Sequence, residues 1–208
     1  MPSLYDLYTQ QHGMSARKQR LFAIACCRRV LSSPLLDVAE QLADGQLEPS
    51  EYEQAAHEAY QRYQDERDRP PAEFSRPRLM AARAVLMTLE GGYYHALDAA
   101  DFARQSIPAA QGQAALLEAR EEAEQCLLFR EIFGPAIAYD PCWSGANDHA
   151  ALHLAQLIYA ERSWELSPIL ADALEDAGCL VPELLAHLRS GEQHVRGCWA
   201  VDAVLGWS

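Results

Sequence analysis

Positive charge is the first thing this sequence is short of. In 208 residues, 17 Lys+Arg stand against 30 Asp+Glu, a formal net charge of −13 with histidines neutral. Such a chain repels phosphate backbones and anionic lipid, which works against a general nucleic-acid or membrane-surface role. Long apolar runs are missing too, since none approaches the roughly 18 residues that a membrane span needs. The one signal-like stretch is Arg17-Lys18-Gln19-Arg20 before Leu21 to Cys27, and Arg28-Arg29 follows it at once. So short an apolar segment with so abrupt a basic end speaks against export, and a cytoplasmic location is expected. Strand signals are nearly absent, with no run of alternating β-branched residues bounded by hairpin dipeptides. There is no GxSxG, P-loop, GxGxxG or HExxH sequence, which removes the motif-based routes to hydrolysis and nucleotide binding. No catalytic residue is assigned.

What the chain does have is helix punctuation. Half of its residues are hydrophobic and 23% are charged, a balance typical of folded chains. Ser15 opens a helix to about Leu31, and Ser33-Pro34 opens another that Gly45 closes. Further helices are predicted over 50–67, 77–90, 93–104 and 113–133, the last stopped by Gly134-Pro135. Asn147 is expected to cap a helix to about Glu161, Ser167-Pro168 to open one closed by Gly178, and 182–189 and 194–205 to be the last two. Within 168–177, Ile169, Leu170, Ala173, Leu174 and Ala177 form one apolar stripe, with Asp172, Glu175 and Asp176 facing away. The expected fold class is all-α: an orthogonal bundle of about ten helices with no significant sheet. Pro135 to Gly145, with Tyr139, Asp140, Pro141, Cys142 and Trp143, reads as a non-helical hinge. It separates an N-terminal bundle (1–134) from a C-terminal subdomain (146–208) packed on it, unless the whole is a single domain.

Six cysteines are present, at 26, 27, 126, 142, 179 and 198. With no export signal, and within apolar helical patterns, they read as reduced buried thiols or metal ligands. Cys26 and Cys27 point about 100° apart on a regular helix and cannot easily bind one ion together. Arg28 and Arg29, with Arg17, Lys18 and Arg20, form the one basic concentration, which is either a local anion pocket or, the favoured reading, a set of salt bridges. His149 and His153 share a helix face, but the stripe continues to Gln156 and Ala160 rather than into a core. His194 and Cys198 also stand four apart, on a face shared with Val201 and Leu205 that should point inward, where a histidine needs a partner. Cys179 follows a helix-ending glycine. Cys179, His194 and Cys198, with Cys126 or His187 as a fourth, could form a tetrahedral zinc site. Buried thiols beside a hydrogen-bonded histidine account for the same residues without a metal. A nucleophilic pairing of Cys198 with His194 or His187 is disfavoured, because a reactive thiol wants exposure. Carboxylates at helical spacing, Asp172/Asp176 and Glu121/Glu124, read as solvated faces.

Several stretches resemble a family of uncharacterised bacterial all-helical proteins: Arg17 to Arg29 (RKQRLFAIACCRR), Glu124 to Gly134 (EQCLLFREIFG), Tyr139 to Trp143 (YDPCW), and a tail of LAQLIYAER, PILADALEDAGC, HLR and HVRGCWAVDAVLG. Together they cover about half of the chain. The resemblance implies recurrence of the cysteines matching Cys26, Cys27, Cys126, Cys179 and Cys198, and of His194, Arg196, Trp199 and Asp202. Positions matching Cys142, His149 and His153 differ there, which favours the set Cys126, Cys179, His194 and Cys198 as metal ligands. PILADALEDAG also resembles a helix–glycine motif of repeat-companion modules in large bacterial signalling proteins, implying an interaction role. The expected function is a non-catalytic helical protein–protein interaction or adaptor module without a cofactor, and the alternative is a zinc-binding protein. The partner is a protein, best a basic one given the acidic surface and the tyrosine stripe Tyr52, Tyr60 and Tyr63, and neither membrane nor nucleic acid. Candidate binding residues are Arg28, Arg29, Arg196, Trp199 and Asp202, with Trp199 expected in the core.

Overall fold

The computed structural model describes residues 3–10, 14–108, 113–135, 137, 140, 143 and 149–207, with the side chain of residue 93 excepted. Cys142, Tyr139, Pro141, Gly145 and the Asn147 cap lie outside the described residues. Among the described residues there are eleven α-helices and no strand. The chain divides into two compact units, Met1–Phe129 and Arg130–Ser208.

In the first unit, local chemistry sets the helix starts. Ser15 accepts the Lys18 N–H at 3.3 Å and caps α2 (Ala16–Val30). Glu48 and Glu51 form a capping box around Pro49 at the start of α4 (Pro49–Arg67). Gly91, at φ +70°, ends α5 (Arg76–Glu90) in a conformation that costs an L side chain. The remaining helices are α1 (Leu4–Gln10), α3 (Leu35–Ala43), α6 (Tyr93–Gln105) and α7 (Ala114–Phe133). Helix α2 is buried on every side from Leu21 to Cys27 and packs against α3, α5 and α6, the central position expected of a helix apolar all round. Buried Ala96, Ala99, Ala100 and Ala103 let α6 approach closely. Tyr8, Phe22 and Phe129 form an aromatic cluster with ring centroids 5.7–6.1 Å apart. On α4, Tyr60 is exposed while Tyr52 and Tyr63 are half-buried.

The division falls inside α7 rather than after Gly134, because the last turn of that helix makes its contacts in the second unit. Glu131 bonds to His187 and His194, and the Gly134 backbone abuts the Trp199 indole.

The second unit holds α8 (Ala150–Glu161), a 3-10 turn at Trp164–Leu166, α9 (Ser167–Asp176), α10 (Pro182–Leu188) and α11 (Trp199–Leu205). Its core is built from Ala155, Ile158, Leu170, Leu174, Leu184, Leu188, Val201 and Val204, with Trp143 and Trp199. Two sequence expectations are corrected here. The buried face of α9 is Ser167, Leu170, Ala171 and Leu174, and Ile169 is 51% exposed. The face is rotated because α9 packs between α8 and α10, which cover the i, i+3, i+4, i+7 side. The last helix begins at Trp199 and not at His194, because Gly197 at φ +88° breaks the chain into a turn before it. No helix among the described residues is long and apolar enough to cross a membrane.

Candidate metal centre

Four side chains of the second unit converge. Glu131 projects from the last turn of α7, flanked by buried Leu128, Ile132 and Phe133. His187 comes from the last turn of α10. His194 and Cys198 come from the segment between α10 and α11, where a tight turn (Cys198 N–H to the Val195 carbonyl, 2.9 Å) folds one back towards the other. One ligand atom from each of the four lies within 4.8 Å of every other.

The individual distances show what kind of cluster this is. Glu131 Oε2 is 3.0 Å from His187 Nε2, and Oε1 is 3.0 Å from His194 Nδ1. Cys198 Sγ is 3.5 Å from His187 Nε2 and 3.7 Å from His194 Nδ1. Each imidazole therefore presents the same nitrogen to both the carboxylate and the sulfur. A nucleophilic triad needs the opposite: one ring nitrogen for the thiol and the other for the carboxylate that orients it. One nitrogen facing two acceptors describes a common centre instead. Around tetrahedral zinc, with bonds of about 2.0–2.3 Å, neighbouring ligand atoms stand about 3.3–3.6 Å apart. One sulfur–nitrogen separation falls within that range and the other just above it, while the nitrogen–oxygen ones are about 0.3 Å shorter than its lower end.

Burial sets the protonation of the group. Glu131, His194 and Cys198 are buried and His187 is nearly so. Burial pushes the Glu131 carboxyl up, but its hydrogen bonds to His187 and His194, and their charge, outweigh this and hold it below its usual range. The Cys198 thiol is driven well above its ordinary value, chiefly by burial and then by the Glu131 carboxylate, against backbone N–H groups of Val201 and Ala200. A thiol so placed is a poor nucleophile, while a bound cation would deprotonate it outright. The donor set of one thiolate, two imidazoles and one carboxylate fits zinc.

The imidazoles are held by packing as well. The His187 and His194 rings meet edge to face at 4.9 Å, and Trp199 stacks on His187 at 4.8 Å. A Cβ on Gly134 would fall 2.1 Å from the Trp199 ring, so this position has room only for glycine behind the indole.

Of the residues singled out from sequence, the structure brings His194 and Cys198 together with His187. Cys179 is buried in the core of the same unit but is not one of the four. Cys126 is buried in the first unit, as are Cys26 and Cys27. Glu131 was not singled out; the one sign of it is a carboxylate inside the apolar stretch Leu127 to Phe133. Arg28 is engaged by Asp37 and Glu40, and Arg29 by Glu121 and Glu124. Arg196 lies 4.6 Å over the Tyr159 ring, and Trp199 and Asp202 are both buried. His149 does not share a helix face with His153 as expected: it precedes α8 at φ +62°, and the two exposed rings have centroids 6.2 Å apart. No protein-family model, curated protein or solved structure matches the chain.

Proposed function

We propose that this chain is a zinc-binding protein in which the ion has a structural role. His187 would bind through Nε2, His194 through Nδ1, Cys198 as thiolate and Glu131 through one carboxylate oxygen. The reading is carried by the convergence described above, in which one nitrogen of each imidazole faces both the sulfur and the carboxylate. Four protein donors complete a tetrahedral zinc shell, leaving no position for an activated water, so the site suits structure rather than hydrolysis. Its ligands come from α7, from α10 and from the non-helical segment before α11, so one ion would clamp three parts of the second unit. Binding and folding are coupled at such sites.

The experiment is elemental analysis of protein purified through a tag that binds no metal, with melting followed in a strong chelator. One equivalent of zinc, and a melting temperature lowered by chelation, support the reading. Metal-free protein whose melting temperature is unchanged by chelator would dispose of it.

An interaction module remains the second reading. It is favoured by the net charge of −13, which suits a basic partner.

A further inference from the structure

A cavity of about 320 Å³ opens in the first unit among α1, α6 and α7. Its walls include Tyr5 and Tyr94, which are 66% and 77% exposed and among the most solvent-accessible large hydrophobic side chains described. Leu4 and Leu97 contribute its apolar surface. Its charged lining is Asp98, Asp101 and Glu122 against a single cation, Arg104.

These charges are not equally available. Arg104 donates to Asp101 at 2.8 Å and to Gln125 at 2.9 Å, and Gln105 takes the other Asp101 oxygen at 2.6 Å. One Glu122 oxygen accepts the Leu4 N–H at 3.2 Å. Asp98 makes no hydrogen bond or ion pair among the described residues. Arg104 and Asp101 thus neutralise each other, which leaves Asp98 and Glu122 as the uncompensated charge of the cavity. An alkylammonium group matches this lining, because aromatic faces attract a cation through their quadrupole while carboxylates neutralise it. A second cavity of about 390 Å³, near α3, α4 and α5, lacks such a bias. Its arginines Arg62, Arg69 and Arg78 are engaged by Glu58, Glu66 and Glu73.

We infer that the cavity bounded by Tyr5, Tyr94, Asp98 and Glu122 is a binding site for an organic ammonium group, carried by a free amine or by a lysine side chain of a basic protein. The inference does not depend on the metal site, since all of these residues lie in the other unit.

The test uses the full chain with its tyrosine rings isotope-labelled. It is titrated with choline, with the uncharged isostere 3,3-dimethylbutanol, and with a short lysine-rich peptide. Choline should shift the Tyr5 and Tyr94 ring signals saturably, and the neutral isostere should not. Tyr94→Ala should weaken binding roughly threefold to fivefold, the scale of an exposed cation–π contact. Asp98→Asn, an exposed position that the fold does not need, should weaken it as well. Tighter binding of the peptide at the same rings identifies a protein source, and tighter binding of choline a free amine. Equal shifts from the neutral isostere, shifts reproduced by potassium chloride, or no saturable shift from either cation would overturn the inference.

Discussion

The two units treat buried polar groups in opposite ways. In the first, charges on the edge of the core meet opposite charges: Arg29 with Glu121 at 2.7 Å, Arg28 with Glu40 at 3.0 Å, Arg17 with Asp44 at 3.0 Å. In the second, two imidazoles, a thiol and a carboxylate point at one place. A paired guanidinium and carboxylate satisfy each other and need nothing further. Four groups that each favour binding a cation do not satisfy each other so fully. The ion pairs of the first unit are complete in themselves, whereas under the proposed reading the centre of the second unit would be completed by an ion.

Chelation should break this symmetry most strongly. All four tryptophans, Trp143, Trp164, Trp199 and Trp207, lie in the second unit, so their fluorescence reports on it alone. We expect chelator to lower the tryptophan-detected melting temperature by about 10 °C or more, since each kcal/mol is worth roughly 4–8 °C in a unit of this size. Unfolding of the first unit, followed by backbone exchange, should move far less. Next in size is Trp199→Ala, expected to cost about 3–5 kcal/mol in chelator as well as in zinc, because the lost packing is independent of the ion. Glu121→Ala should cost about 1–2 kcal/mol, less than breaking a fully buried pair because Arg29 keeps Glu124 as a partner, and should leave metal content unchanged.

Much of the fold was legible because helix signals are local. Ser15, Pro34 and Gly45 act within one turn of where they stand, and the structure puts helix ends at or beside each. The α9 face was misread because two stripes both contain Leu170 and Leu174. One adds Ile169 and the other Ser167 and Ala171, and the choice depends on where α8 and α10 lie, which no local pattern states. The candidate site was half legible. His194 and Cys198 stand four apart, and they do meet, though through a turn at Gly197 rather than along a helix. Glu131 reaches them from a helix more than fifty residues away in sequence, and only tertiary packing makes that contact.

Smaller effects sharpen the same contrast. Leu174→Ala should cost about 2–5 kcal/mol, while Ile169→Ser should change stability by no more than about 0.5 kcal/mol in denaturant unfolding. The thiols of the first unit should be inert in the native state. Burial raises Cys27 to about 12 and also pushes Cys26 well above its usual value. A thiol reagent at pH 8 should therefore label them only after unfolding.

Cobalt(II) titration of metal-free protein addresses the convergent centre most directly, because a thiolate bound to tetrahedral cobalt gives sulfur-to-metal charge transfer and intense visible bands. These bands should saturate at one equivalent, vanish in Cys198→Ser and persist in Cys179→Ser. Their absence from the wild-type protein, or their survival in Cys198→Ser, would contradict a site built on Glu131, His187, His194 and Cys198.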